Sequence, residues 1–146
     1  MNKFLSIFLF LSIVTITRAQ EFNKDMYLAF KNDNVSALKS HVDTSQMNEC
    51  FDIKGNPYTL LAVSIKFKSA AIFKYLLSQE KVDLEQTCGG KSAIQYAAKY
   101  GHLEMLKTLI EKGAISKKAA PNGRTALDYA KKYKQQEIID YLSSIE

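Results

Sequence analysis

The sequence feature that most constrains the fold is an internal repeat. Thr59, Ser92 and Thr125 are evenly spaced along the chain, and each is followed by a similar pattern of apolar residues. A period of about 33 residues indicates stacked supersecondary units, in which each unit buries its apolar face against its neighbours. The 146 residues are expected to form one domain, because they are too few for two.

Within each unit the apolar spacing predicts two short helices. Apolar residues recur at helical intervals, and turns divide them at Lys68, Gly101 and Lys134. The Ser or Thr precedes the first helix, where its side-chain oxygen can accept a hydrogen bond from a backbone N–H of the first turn. Gln95 and Asp128 follow three residues after their hydroxyl residues, which predicts capping boxes.

These units resemble ankyrin repeats. Residues 90–98 resemble the opening of the ankyrin repeat, residues 101–106 its centre, and residues 112–114 its end. The resemblance implies an all-α ankyrin-repeat solenoid of about four helix-turn-helix units. It places the domain at residues 20–146, with repeats at about 22–50, 55–85, 88–117 and 121–146.

Two departures from the family pattern affect the expected structure. The first repeat fits only if the loop before Thr59 carries two extra residues, which we place at Asn56 and Pro57 because both favour turns. The Thr-Pro-Leu-His tetrad of the family has lost its proline and its histidine in the three clearer repeats. Since that histidine usually ties adjacent loops together, we expect a correct fold of modest stability.

The first twenty residues predict export. Lys3 gives a basic start, residues 4–17 form an uncharged apolar run, and the small Ala19 follows it closely. This pattern is typical of a signal peptide, here residues 1–19, and we expect a small periplasmic or secreted protein of bacterial type. Cleavage after Gln20 and an uncleaved signal anchor are the alternatives. The run is shorter than the roughly 20 residues of a membrane-spanning helix, so we expect no stable membrane span.

Composition argues against several classes of function. Removing residues 1–19 leaves a net charge of +3, and no stretch carries a dense Lys/Arg run, so we expect no nucleic-acid partner. The chain has two histidines and no Cys-x-x-Cys pair, so we expect no metal and no cofactor. No Ser-His-Asp arrangement or G-x-S-x-G motif is present, and we expect no catalytic residues and no enzyme. We expect His102 to be structural and His41 to be a partly buried spacer.

Cys50 and Cys88 lie in loops that the resemblance places at the tips, or fingers, of neighbouring repeats. Export would put both in a compartment where disulfides persist. Neighbouring fingers are expected near the upper distance limit of disulfide geometry. A bond would close a loop of about 37 residues and add roughly 3–4 kcal/mol of stability. Two free, partly buried thiols are the alternative.

Ankyrin domains generally bind proteins through the fingers and the exposed side of the first helix, which line a concave face. On these positions the chain carries basic and aromatic residues, which are our candidate protein-binding residues: Tyr58, Lys66, Phe67, Lys91, Lys99, Tyr100, Arg124, Lys132 and Tyr133. We expect Phe67, Tyr100 and Tyr133 to form an aromatic ladder beside a basic column, suited to a partner with an acidic surface. Inheritance of the repeat consensus, without a dedicated site, is the alternative.

The resemblance implies a non-catalytic protein-binding module that acts outside the cytoplasm and is a monomer when unbound. The leading hypothesis is an immunity-type inhibitor of a secreted toxin or lipase effector, because a basic face could cover an acidic active-site mouth. The alternatives are a periplasmic helper of oxidative-stress defence and a secreted effector that binds a host protein. An enzyme would need a pocket with convergent polar groups, which an elongated solenoid surface does not offer.

Overall fold

The structure, a computed structural model, describes residues 20–145, and the predicted signal peptide lies outside them. Four successive helix pairs make up most of the described chain. They are α1 (Lys24–Lys31) with α2 (Val35–Lys39), α3 (Leu60–Phe67) with α4 (Ala70–Leu77), α5 (Ala93–Tyr100) with α6 (Leu103–Glu111), and α7 (Ala126–Lys132) with α8 (Gln136–Ile145). The helix-turn-helix units of the all-α prediction are confirmed. Each pair lies within the range expected for its repeat.

The first helices of the clearer repeats begin at hydroxyl residues, as the sequence predicts. The Thr59 hydroxyl accepts a hydrogen bond from the backbone N–H of Ala62 at 3.1 Å. At Ser92 the backbone N–H donates to the Gln95 side chain at 3.0 Å, and at Thr125 it donates to the Asp128 carboxylate at 2.9 Å. These contacts satisfy N–H groups that would otherwise lack a partner at a helix start.

Stacking of the repeats buries the first helices. α3 packs between α1 and α5, and α5 packs between α3 and α7. Residues 60–65 of α3 and 93–98 of α5 are all buried, whatever their position around the helix. Fully buried alanines such as Ala62 and Ala97 allow neighbouring helices to approach closely. No helix within residues 20–145 is both long and apolar enough to span a membrane.

The loop between α2 and α3 contains a small sheet that the sequence did not indicate. β2 (Phe51–Ile53) and β3 (Asn56–Tyr58) form an antiparallel hairpin, and β1 (Gln20–Glu21) pairs with β2 in parallel. The buried Phe51 and Tyr58 are opposite each other in this hairpin. The hairpin therefore adds apolar surface to the core of the first two repeats.

The predicted position of the turn in this loop is wrong. The turn lies at Lys54 and Gly55, whose φ angles of 54° and 80° are both positive, as tight two-residue hairpin turns of type I′ require. Asn56 and Pro57 instead lie in β3, an edge strand in which proline removes no essential ladder hydrogen bond. The two extra residues are present, since α2 and α4 begin 35 positions apart.

Side chains at one recurring position tie each repeat to the preceding one. Ser69, His102 and Gln135 occupy equivalent positions in successive repeats, in the turns between paired helices. The Ser69 hydroxyl donates to the carbonyl of Phe30 at 2.6 Å, and the Gln135 amide donates to a carbonyl of α5 at 3.1 Å. His102 makes the equivalent hydrogen bond to a carbonyl of α3. The structural role predicted for His102 is thus confirmed.

A glutamine supplies the tie that the missing histidine was expected to make. The Gln95 side chain is 2% exposed, and its amide nitrogen donates to the carbonyls of Lys118 at 2.9 Å and Arg124 at 3.4 Å. Both acceptors lie in the next finger. The expectation that this tie is lost is therefore wrong for the third repeat, because an amide provides the donor that an imidazole would provide.

The expected burial of His41 is also wrong. His41 is exposed, and the neighbouring Val42 is buried in its place. α2 ends at Lys39, so the chain has already left the helix when it reaches His41, and the helical periodicity no longer determines which side chain points inward.

Candidate protein-binding surface

All nine candidate residues lie on the first helices, at their ends, or in the fingers before them. Lys66 and Phe67 end α3, Lys99 and Tyr100 end α5, and Lys132 ends α7. The structure brings part of this set into contact and separates the rest.

Tyr100 and Tyr133 form the part of the ladder that the structure brings together. The Lys99 ammonium lies 5.1 Å from the ring centroid of Tyr100 and 5.3 Å from that of Tyr133. The Lys132 ammonium lies 5.5 Å from the Tyr133 centroid. Cations and rings therefore alternate along the third and fourth repeats, within the distance at which a ring face attracts a cation.

Phe67 occupies a different environment from the one expected. Its ring packs edge-on against Tyr27 at 5.4 Å and against Phe30 at 6.4 Å. The aromatic side chains of α1 provide these contacts, so the first repeat, rather than the third, determines where the Phe67 ring lies. Phe67 thus belongs to an aromatic cluster with the first repeat.

A second column of tyrosines was missed by the sequence reasoning. The Lys91 ammonium lies 5.4 Å from the ring centroid of Tyr96 and 5.8 Å from that of Tyr129. Tyr96 and Tyr129 occupy equivalent positions in successive repeats, so the repeat period was the signal that could have identified them. Both rings are only 3% exposed, and Lys91 lies over them.

The two columns meet at Tyr58. The Lys66 ammonium lies 4.3 Å from the Tyr58 centroid and donates to the Tyr58 hydroxyl at 3.1 Å. The Tyr58 ring lies 5.3 Å from the Tyr96 ring, and the Tyr96 ring stacks on that of Tyr100 at 6.2 Å.

Burial raises the pKa of Tyr96 and Tyr100 above the ordinary value of tyrosine. Loss of solvent raises the pKa of Tyr100, and the neighbouring Tyr58 and Tyr133 raise it further. The pKa of Tyr96 is also raised, again mainly by burial. A protonated phenol retains one hydrogen-bond donor, so both residues can donate to an acceptor at neutral pH.

The lysines over these rings are not paired with acids. Among residues 20–145 the ion pairs are Lys107 with Glu104 at 3.1 Å and Lys118 with Glu85 at 3.3 Å. None of the candidate lysines takes part in either pair. Arg124 and Lys132 are moreover exposed. The candidate lysines therefore form no ion pair with a carboxylate of the described residues.

A disulfide lies next to this surface. The sulfurs of Cys50 and Cys88 are bonded, with Cα atoms 5.7 Å apart, so the structure has the first of the two alternatives that the sequence left open. That distance is typical of disulfides rather than near their upper limit, because Cys50 directly precedes the hairpin strand β2.

The finger that begins with Cys88 packs closely on the hairpin. A Cβ atom on Gly89 would lie 2.9 Å from the carbonyl oxygen of Pro57 and 3.6 Å from the Tyr96 hydroxyl, and the φ angle of Gly89 is 64°. Only glycine fits this position without strain. The close contact and the disulfide together position Lys91, three residues after Cys88.

No cluster of three or more His, Cys, Asp or Glu side chains that could hold a metal ion occurs within residues 20–145. The family model described as Ankyrin repeats (3 copies) matches residues 26–119 and 60–146. A comparison with curated proteins found no match.

Proposed function

The chain belongs to the ankyrin repeat family, whose members are typically non-catalytic protein-binding modules, and on this premise we propose that it binds a partner with an acidic surface outside the cytoplasm. Contact is made through the fingers and first helices, which line the concave face in this family. The observation that carries the proposal is the set of lysines that lie over tyrosine rings without carboxylate partners.

The pairing of lysine with tyrosine supports a binding role for this surface. Tyrosine provides rigid contact area, and aromatic residues are enriched where binding energy is concentrated. Unpaired lysines steer an acidic partner towards the surface and disfavour basic ones.

Two observations support export. The sequence of residues 1–19 is typical of a signal peptide. The Cys50–Cys88 disulfide is of the kind that persists in oxidising compartments and is rare in the cytosol. Mass spectrometry of the protein isolated from its source cell tests both points. Export predicts a chain that begins at Gln20 or Glu21 and is lighter by two hydrogen atoms than the reduced chain, because of the disulfide.

Within this proposal the role that we favour is inhibition of a secreted toxin or lipase effector. A cationic surface on a rigid stack can cover the mouth of an acidic active site and exclude its substrate. A partner that is not an enzyme would contradict this role without contradicting binding itself.

The test is a capture experiment with the full, oxidised chain as bait in an envelope extract of the source cell. A second bait carries Lys66→Glu, Lys99→Glu and Lys132→Glu. We expect one acidic protein to be retained by the unchanged bait and lost by the variant. Each reversal replaces attraction to the partner with repulsion, so the loss should exceed roughly tenfold per reversed contact for close charge pairs.

A matched control carries Lys74→Glu, Lys81→Glu and Lys112→Glu, which change the net charge equally. Lys74 lies on α4, and the other two follow α4 and α6, on the side of the second helices. The control should retain the partner as the unchanged chain does. Equal loss with both variants would show a non-specific charge effect, and retention by both would exclude the lysines of the first helices from the contact.

A further inference from the structure

Three tyrosine rings contact one another where the second repeat packs against the third, and a lysine ammonium lies over each ring. We call this cluster the tyrosine–lysine junction; it consists of Tyr58, Lys66, Lys91, Tyr96, Lys99 and Tyr100. The strand β3, the helices α3 and α5, and the disulfide-bonded finger each contribute to it. Each of the six side chains belongs to one of these elements.

The junction has more hydrogen-bond donors than acceptors. Each ammonium group has three donors and no acceptor, and each phenol has one donor. Within the junction, Lys66 donates to the Tyr58 hydroxyl at 3.1 Å. Lys91 donates to the carbonyl of Gly89 at 3.4 Å, a long and weak contact. No carboxylate of residues 20–145 forms an ion pair with Lys66, Lys91 or Lys99.

We propose that the tyrosine–lysine junction is an oxyanion-binding site that takes an Asp or Glu carboxylate of a protein partner. The inference rests on the proposed function and names the chemistry of its central contact. A carboxylate has two oxygens that accept several hydrogen bonds, and its bonds to charged donors are stronger than neutral ones. It would receive donors from Lys66 and from phenol hydroxyls, which tyrosine keeps protonated at neutral pH.

The continuation of the cations along the stack favours a protein segment over a lone anion. Lys99 of the junction lies between Tyr100 and Tyr133, and beyond the junction Lys132 follows at 5.5 Å from the Tyr133 centroid. A single oxyanion would contact only one end of this row of lysines along the stack. An extended segment with several carboxylates could contact the whole row.

The test measures binding of a fluorescein-labelled oligoglutamate peptide to the full, oxidised chain by fluorescence anisotropy at low salt. We expect Lys66→Gln to weaken binding about tenfold, since it removes a charged donor. Tyr58→Phe keeps the ring but removes the hydroxyl that accepts from Lys66, and should weaken binding about threefold. Circular dichroism of each variant checks that the fold is unchanged.

A second lysine–tyrosine pair provides the matched control. The Lys39 ammonium lies 4.6 Å from the ring centroid of Tyr75, on α2 and α4. Lys39→Gln and Tyr75→Phe remove the same groups away from the junction, and we expect each to change binding less than twofold. If Lys39→Gln weakens binding as much as Lys66→Gln, the peptide responds only to net charge and the inference is overturned.

Inorganic phosphate serves as a second probe and distinguishes a protein carboxylate from a free anion as the ligand. The inference is also overturned if phosphate binds in a Lys66-dependent manner while the peptide does not bind. Failure of this inference can be distinguished from failure of the proposed function. A natural partner lost by the triple lysine variant but insensitive to Lys66→Gln and Tyr58→Phe would leave the function intact and exclude the junction.

Discussion

At the scale of single residues, three different side chains make the same contact in successive repeats. Ser69, His102 and Gln135 share one position of the repeat, and each hydrogen bonds to a carbonyl of the preceding repeat. A hydroxyl, an imidazole and an amide all provide a donor, so the position requires a donor rather than a particular residue. Only the imidazole changes its charge near neutral pH.

The first prediction concerns the change in charge of the His102 imidazole. Burial and then the nearby Lys68 lower the pKa of His102 below its ordinary value of 6.5. As the pH falls below that value, His102 therefore binds a proton more readily in the unfolded chain than in the folded chain. The free energy of unfolding should consequently fall as the pH falls through this range. His102→Gln keeps a donor, as at Gln135, and should reduce this pH dependence. Urea unfolding at about pH 5, 6 and 7 measures it.

Other charged groups lie near His102, so the pH dependence of the variant must be compared with that of the unchanged protein. Glu104, Glu137 and Lys68 line the same groove as His102. His41→Gln is the control, because it removes the other imidazole at an exposed position outside this groove. An unchanged pH dependence in His102→Gln would show that His102 does not cause the effect.

The second prediction concerns Gln95, the buried amide that ties the third repeat to the next finger. Gln95→Ala should lower the free energy of unfolding by about 2 kcal/mol, because it leaves buried polar groups without partners. Gln79→Ala is the control, since Gln79 bonds only to Tyr75 and Ser78 of its own repeat. Thermal unfolding compares the stability of the two variants. Equal losses of stability would mean that the hydrogen bonds between repeats have no special role.

At the scale of secondary structure elements, the hairpin and the following finger form one unit. The disulfide joins Cys50, beside β2, to Cys88, and Gly89 of the finger lies against Pro57 of β3. The hairpin thereby connects the first repeat to the finger that carries Lys91. α2 has only five residues, so this connection gives the shortest repeat a second attachment to the stack.

The third prediction is that the disulfide contributes substantially to stability. Replacement of both Cys50 and Cys88 by Ser should lower the free energy of unfolding by about 3–4 kcal/mol, because the unfolded chain regains the entropy of an open loop. Urea unfolding of the variant and of the reduced protein should agree. Two reactive thiols per chain in the native, unreduced protein would contradict the bond itself.

At the scale of the whole molecule, the repeats form a nearly linear series of contacts. α3 and α5 each have first helices on both sides, whereas α1 and α7 have one on one side only. The stability of such a stack is approximately a sum of units and of interfaces between neighbours. The central repeats should therefore resist local opening more than the terminal ones.

The fourth prediction follows from this order. Hydrogen exchange measured by mass spectrometry should be slowest in α3 and α5, where residues 60–65 and 93–98 are buried. Exchange should be faster in α2 and α8, which lie at the two ends of the stack. Uniform exchange rates across all helices would mean that the stack opens only as a single unit.

Much of this architecture could be predicted from the sequence, because the information is local and periodic. The even spacing of the repeats predicted the helix pairs, their turns at Lys68, Gly101 and Lys134, and the capping boxes at Gln95 and Asp128. Caps and turns depend on residues a few positions apart, so a single sequence specifies them. Tyr96 and Tyr129 also follow this period, but the sequence argument considered only exposed positions as binding residues and did not include them.

The tertiary structure decided what the period alone could not. Phe67 turns towards Tyr27 and Phe30, and the loop before α3 forms a hairpin that brings Cys50 within bonding distance of Cys88. These outcomes depend on contacts between residues far apart in the chain, where packing selects among several locally acceptable conformations. The sequence by itself thus determined a stack of helical repeats, and tertiary packing determined which tyrosines and lysines meet on its surface.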